Sequence, residues 1–195
     1  MQIETLKKKR IGFAITGSFC TLDVAIQAMK ELTDLGADIF PIISFNIDNL
    51  DTKFGTADGL KAEIAKITPN PIIRTLTQAE PIGPGRMLDA LLVLPATGNT
   101  IAKLAMGLAD TPVTMAAKSH LRNGGPVILA ISSNDALGLG AKNIGLLLAV
   151  KNIYFVPFGQ DNAQVKPRSI VFIKEHVSTA VAEALEGRQM QPILG

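Results

Sequence analysis

The chain is built around short, almost unbroken apolar runs, each stopping at a small or polar loop and followed by residues at helical spacing. Lys9 to Ile15 carries Ile11, Phe13, Ala14 and Ile15 and runs into Thr16-Gly17-Ser18. The stretches Asp38 to Ser44, Ala90 to Leu94, Pro126 to Ile131 and Ile153 to Val156 repeat the form. Short apolar runs without alternation read as strands buried on both faces, which is the signature of a parallel sheet. Between the first two, Leu22, Ala25, Ile26, Met29 and Leu32 define one face of a helix, with Gly36 as its stop. Leu60, Ile64 and Ile67 define a second helix over 57–67, ended by Pro69 and Pro71. Further helices are expected from Ile101 onward, over 111–122 with Pro112 in the first turn, over 136–150 and over 176–185. Asn46 to Thr56 has no periodicity and reads as a loop. Strands alternating with helices predict an α/β fold, a three-layer α/β/α arrangement with a parallel sheet, whose ligands bind beyond the carboxyl ends of the strands.

At 195 residues the chain suits one domain spanning 1–195. A formal net charge of +2 is too small to mark a nucleic-acid or anionic-membrane surface, and Lys7, Lys8, Lys9 and Arg10 read as a solvated entry to the first strand. Seventeen glycines and 5% aromatic residues fit tightly packed helices on a parallel sheet. The longest apolar stretches are far shorter than a membrane span, and Met-Gln-Ile-Glu-Thr at the start lacks a secretory pattern, so a cytoplasmic location is expected. Cys20 is the one cysteine and reads as a small packing residue; His120 and His176 lie far apart without a carboxylate or thiol cluster, so no metal is expected. Met106 and Met115 are candidates for a subunit interface.

Two loops carry chemistry. In Thr16-Gly17-Ser18-Phe19-Cys20-Thr21, the glycine permits a sharp turn, and the free amides of a helix start, with the Ser18 and Thr21 hydroxyls, suit a phosphate. The loop matches neither G-x-G-x-x-G nor the Walker pattern, so it does not call for a dinucleotide or ATP. Pro95-Ala96-Thr97-Gly98-Asn99-Thr100 follows the most apolar strand, and its small side chains let backbone amides approach a flat polar ring.

The strings Ile15 to Cys20, Leu94 to Lys103 and Gly107 to Pro112 resemble the FMN-dependent cysteine decarboxylase and flavin prenyltransferase superfamily. The likeness continues through Met115 to Lys118 and the Val127 to Ile131 strand to Pro157. Within it, the chain is most similar to the B-chain family of dipicolinate synthases of spore-forming bacteria. The resemblance implies a flavodoxin-like, Rossmann-like sheet and FMN as cofactor. It assigns Gly17, Ser18 and Phe19 to the phosphate, sets Ser44 near the flavin, and ranges Ala96, Thr97, Gly98, Asn99 and Thr100 along its ring; the loop reading adds the Thr21 hydroxyl to the phosphate contacts and Pro95 to the second loop. Asn134 falls at the substrate-clamp asparagine.

Two departures narrow the activity. Ile72 to Leu94 holds no histidine where the decarboxylases carry a catalytic one, and Ile131-Ser132-Ser133-Asn134 replaces their Pro-Ala-Met-Asn clamp. The resemblance therefore implies an oxidoreductase subunit that helps form pyridine-2,6-dicarboxylate from a reduced precursor during sporulation, together with a dipicolinate synthase A subunit and in a trimer-based homo-oligomer. A prenyltransferase, with Lys166 and Arg168 as loose phosphate-clamp candidates, and a non-catalytic FMN-binding subunit are the alternatives. Arg86 is the expected catalytic partner of a substrate carboxylate, with Arg74 and Lys142 as further cations.

Overall fold

The computed structural model describes residues 6–195; Met1–Thr5, read above for a secretory signal, lie outside the described residues. The strands β1 (Arg10–Ile15), β2 (Asp38–Ile43), β3 (Ala90–Ala96), β4 (Val127–Ser133) and β5 (Ile153–Phe155) pair in parallel in the order β2-β1-β3-β4-β5. Alternate side chains of the central strands enter two separate cores. Ile11, Phe13 and Ile15 of β1 and Ala90, Leu92 and Leu94 of β3 face one core, while Ala14, Leu91, Val93 and Ala96 face the other. This period of two explains the unbroken apolar runs, because both faces of each strand are covered.

The first core is closed by α1 (Leu22–Asp34), α3 (Ala57–Ile67) and α8 (Val177–Leu185), and the second by α5 (Gly98–Ala105), α6 (Pro112–Leu121) and α7 (Ala141–Leu148). Helix α1 stops where expected. Gly36 adopts φ 87°, its amide donates to the Thr33 carbonyl, and the Ala37 amide donates to that of Leu32, so the last turn satisfies its own acceptors. Helix α6 starts with Pro112 behind a Thr111 cap that accepts from the Thr114 amide.

Four expectations are corrected. The sheet is mixed: β6 (Phe158–Gln160) and β7 (Ile170–Phe172) form an antiparallel hairpin, and β7 pairs with Ser132 and Ser133 at the end of β4. Strand β4 outruns β5, so its last residues need another partner. The supposed loop 46–56 begins with a short helix, α2 (Phe45–Asn49), because Ile47 is buried against α1 and α3. A further short helix, α4 (Leu76–Ala79), is set by a Thr75–Gln78 capping box. Helix α5 opens at Gly98 rather than Ile101, since the Thr97 side chain caps it. Helix α7 begins only at Ala141, because the Asp135 carbonyl draws the Gly138 and Gly140 amides into a turn. No helix among the described residues is long and apolar enough to cross a membrane.

The amino ends of β1 and β3 are pinned by charge. The Arg10 guanidinium donates to both Asp89 carboxylate oxygens, at 3.3 and 2.8 Å, and the Arg10 amide donates to the same group at 2.8 Å. The Arg10 side chain holds the Asp89 carboxyl below the usual carboxylate range. A depressed folded pKa supplies stability above the unfolded pKa and loses it as pH falls through the folded value. Asp89→Asn is therefore expected to be less stable than the parent in urea at pH 7, with the gap closing as pH is lowered below the carboxylate range. A gap that stays constant with pH would assign the effect to packing.

Candidate functional site

The strand order reverses between β1 and β3, and their carboxyl ends diverge there, which is where doubly wound sheets bind ligands. The first loop leaves β1 at Ile15. Its first helical hydrogen bonds run from the Thr21 amide to the Ser18 carbonyl and from the Leu22 amide to that of Phe19, so the Phe19 and Cys20 amides lie ahead of the ladder. A Cβ built on Gly17 would meet protein atoms only at 3.6–3.7 Å. The chain's own packing does not demand a glycine at that position, whereas a group settling on the backbone would. At Gly98 the reverse holds: a Cβ there would lie 2.7 Å from Ser133 Oγ and 3.0 Å from Asp135 Oδ1.

Hydroxyl groups tie the loops together. Thr16 Oγ1, buried, donates to the Pro95 carbonyl at 2.6 Å and accepts from the Thr97 amide at 3.2 Å, joining the end of β1 to the end of β3. Ser18 Oγ lies 2.9 Å from Ser132 Oγ, joining the first loop to the end of β4. The resulting cleft holds about 580 Å³, within the range of small-ligand sites.

Of the predicted contacts, Gly17, Ser18, Phe19, Thr21, Thr97, Gly98 and Asn134 line this one cleft. Pro95, Ala96 and Thr100 are buried behind it, and Asn99 is exposed on the first turn of α5. Ser44 caps α2 beside the end of β1, where its amide donates to the Ile15 carbonyl, and its buried Oγ has no hydrogen-bond partner. A buried hydroxyl without a partner, next to the end of β1, fits a polar ligand atom that the protein alone does not supply.

The cations fall elsewhere. Arg86 lies four residues before β3, on the amino side of the sheet, with φ 45° and its carbonyl accepting from Arg10 Nη1. It borders a separate cleft with Lys9, Asp89 and His120. A role for Arg86 beside the first loop is not available within one chain, because the length of β1 and β3 separates the two clefts. Arg74 contacts Asp48 at 3.3 Å, and Lys142 is exposed on α7. His120 is a packing residue: its ring is buried against Gly125, and burial holds its pKa below the ordinary histidine value.

Sequence reasoning missed part of the lining. Phe54, Ser132, Asp161, Ser169, Ile170 and Val171 border the cleft, and Lys166, offered above only as a prenyl-phosphate candidate, stands among them. Cys20 is exposed on the rim instead of packed in a core. Phe19 and Phe54 also border a second hollow of about 350 Å³ between α1 and α3, lined by Leu22, Ile26, Ile47 and Leu60. The Ser132-Ser133-Asn134 string at a strand end was a visible signal; the residues of the β6–β7 hairpin had none.

A mixed, mainly parallel α/β sheet whose loop amides and hydroxyls gather at the switch point has the architecture of the doubly wound class. The chain belongs to the Flavoprotein family, whose model matches residues 2–176. It is 42% identical to the B subunit of dipicolinate synthase of Bacillus subtilis (strain 168), over 98% of this chain and 96% of that one. The solved B subunit of dipicolinate synthase from Bacillus halodurans C superposes with a TM-score of 0.90 at 45% identity, covering 97% of each chain. Burkholderia xenovorans DmrB in complex with FMN shares the fold, with a TM-score of 0.62 at 21% identity over 76% of this chain and 87% of that one.

Replacing Thr16 by Val keeps the side-chain volume but leaves the Pro95 carbonyl and the Thr97 amide without their partner. The expected cost is about 1–3 kcal/mol of stability, the penalty of an unsatisfied buried polar group, read from the urea midpoint. An unchanged midpoint would show that the two loops are held without the hydroxyl.

Proposed function

We propose that the chain binds FMN and serves as the flavoprotein subunit of a dipicolinate-forming synthase. The observation that carries the reading is the meeting of Gly17, Ser18, Thr21, Thr97, Gly98 and Asn134 in one cleft at the switch point. The likeness to dipicolinate synthase B subunits along nearly the whole length supports the assignment. In this reading the amides of the first loop and the hydroxyls of Ser18 and Thr21 hold the phosphate. The small side chains of Thr97 and Gly98 leave room for the ring, and Ser44 Oγ gains the partner it lacks. When bound, a flavin supplies a two-electron acceptor for converting a dihydropyridine dicarboxylate to the aromatic pyridine. Asn134, exposed at the mouth, orients the substrate, and a dipicolinate synthase A subunit acts with this chain during sporulation.

We also propose a homo-oligomer. Leu139 (83% exposed), Met106 (70%), Leu146 and Leu148 give an apolar surface carried by α7, the loop leading into it and the turn after α5. Grouped exposed apolar side chains mark association surfaces. The paired substitution Leu139→Glu with Leu146→Glu is expected to reduce the particle size by light scattering, with the circular dichroism spectrum preserved. A monomeric parent would overturn the proposal.

The cofactor reading predicts tighter binding of FMN than of NAD or FAD, measured by quenching of flavin fluorescence and by calorimetry. Ser18→Asp should abolish FMN uptake with the fold intact, since it sets a carboxylate against the phosphate. Flavin retained by that variant would move the site elsewhere.

A further inference from the structure

The cleft holds an unusual charge arrangement. Among the residues lining it, only Asp161 and Lys166 are charged, and they are bonded to each other, Lys166 Nζ donating to Asp161 Oδ2 at 2.6 Å. Both belong to the segment joining β6 to β7. That segment is internally pinned: the Lys166 amide donates to the Asn162 carbonyl at 2.7 Å, the Val165 amide to Asn162 Oδ1 at 3.1 Å, and Gln160 Nε2 to the Pro167 carbonyl at 3.1 Å. Strand β7 is hydrogen-bonded to Ser132 and Ser133, so the hairpin is anchored to the strand end whose Ser132 touches Ser18.

Lys166 and Gly17 to Thr21 of the first loop line the same cleft. The Lys166 pKa is raised chiefly by the Asp161 hydrogen bond and charge, and Cys20 of the first loop adds in the same direction. The first loop itself, Thr16 to Thr21, contains no charged residue. A phosphate monoester resting there carries close to two negative charges near neutral pH, and Lys166 is the cation the fold brings to it.

We propose that Lys166 is a latch for the cofactor phosphate, held in reserve by Asp161. With a phosphate on the Gly17–Thr21 cradle, the ammonium exchanges the carboxylate for a phosphate oxygen, and the hairpin tip settles over the first loop. The exchange is energetically accessible because both side chains are half-exposed, 53% and 38%, and a solvated ion pair of this kind contributes little. A doubly charged phosphate is the stronger partner for a point cation. Asp161 acts against the bound state, since its carboxylate competes for Lys166 and repels the phosphate. The pair thus lowers the affinity for FMN and sets it by a balance of two charges.

The latch rests on the FMN reading, and comparing FMN with riboflavin, which lacks the phosphate, separates the two. Dissociation constants for both flavins are measured by fluorescence quenching on the full-length parent and on Lys166→Gln, Lys166→Arg and Asp161→Asn. FMN bound more tightly than riboflavin by the parent supports the cradle; equal affinities, or no binding of either, overturn the cradle and the latch together. With the cradle standing, Lys166→Gln is expected to weaken FMN about tenfold, the scale of one charge-assisted hydrogen bond, and to leave riboflavin unchanged. Lys166→Arg should retain most of the FMN affinity. Asp161→Asn should tighten FMN several-fold, and raising the salt concentration should shrink these differences. An equal loss of both flavins in Lys166→Gln, or unchanged FMN affinity in both Lys166→Gln and Asp161→Asn, overturns the latch and leaves the cradle in place.

Discussion

The Thr16 hydroxyl, buried where β1 ends, bonds two backbone groups of the loop after β3 at once. Two parallel strands that diverge at a switch point leave carbonyls and amides there without ladder partners, and water cannot reach them in the interior. One hydroxyl, which donates and accepts together, satisfies both. This cross-link sets the first and second loops against each other. Ser18 then carries the chain of hydroxyls on to Ser132 and β4. The cleft is therefore floored by three strand ends held in fixed relation, and its lining side chains inherit that rigidity.

The two ends of the sheet are electrostatically unlike. At the amino ends, Lys9, Arg10 and Arg86 gather around Asp89, where helix carboxyl termini favour positive charge. At the carboxyl ends, amides and hydroxyls line the cleft, and among the described residues lining it the charged ones are a mutually bonded pair. Helix starts with free amides hold phosphates in other proteins, and that is the ground of the cofactor proposal. The hairpin of β6 and β7 matters because it brings a lysine to the cleft.

Much of the architecture was legible in order along the chain. Apolar runs without alternation announced strands covered on both faces, and the two separate cores explain why no residue in β3 could be polar. Gly36, Thr111 and Pro112 marked helix ends through local backbone chemistry, which neighbours in sequence suffice to decide. The strand-to-helix junction at Gly17–Thr21 was readable for the same reason: a strand, a glycine and a hydroxyl-rich helix start are contiguous. Even the displacement of Arg86 had a local cue, because a residue four positions ahead of β3 must sit at the amino end of a parallel strand.

Tertiary structure alone decided which distant hydroxyls meet, Ser18 with Ser132 across 114 residues of sequence, and which cation faces the cleft. It also decided that the end of β4 recruits an antiparallel hairpin, since which segment pairs with a strand end is set by the closure of the chain. Local patterns reflect burial and backbone preference at spacings of two to four residues. The partner of a strand edge, the position of a hairpin tip and the direction of a lysine depend on chain closure over long separations, where no residue carries a mark of its future neighbour.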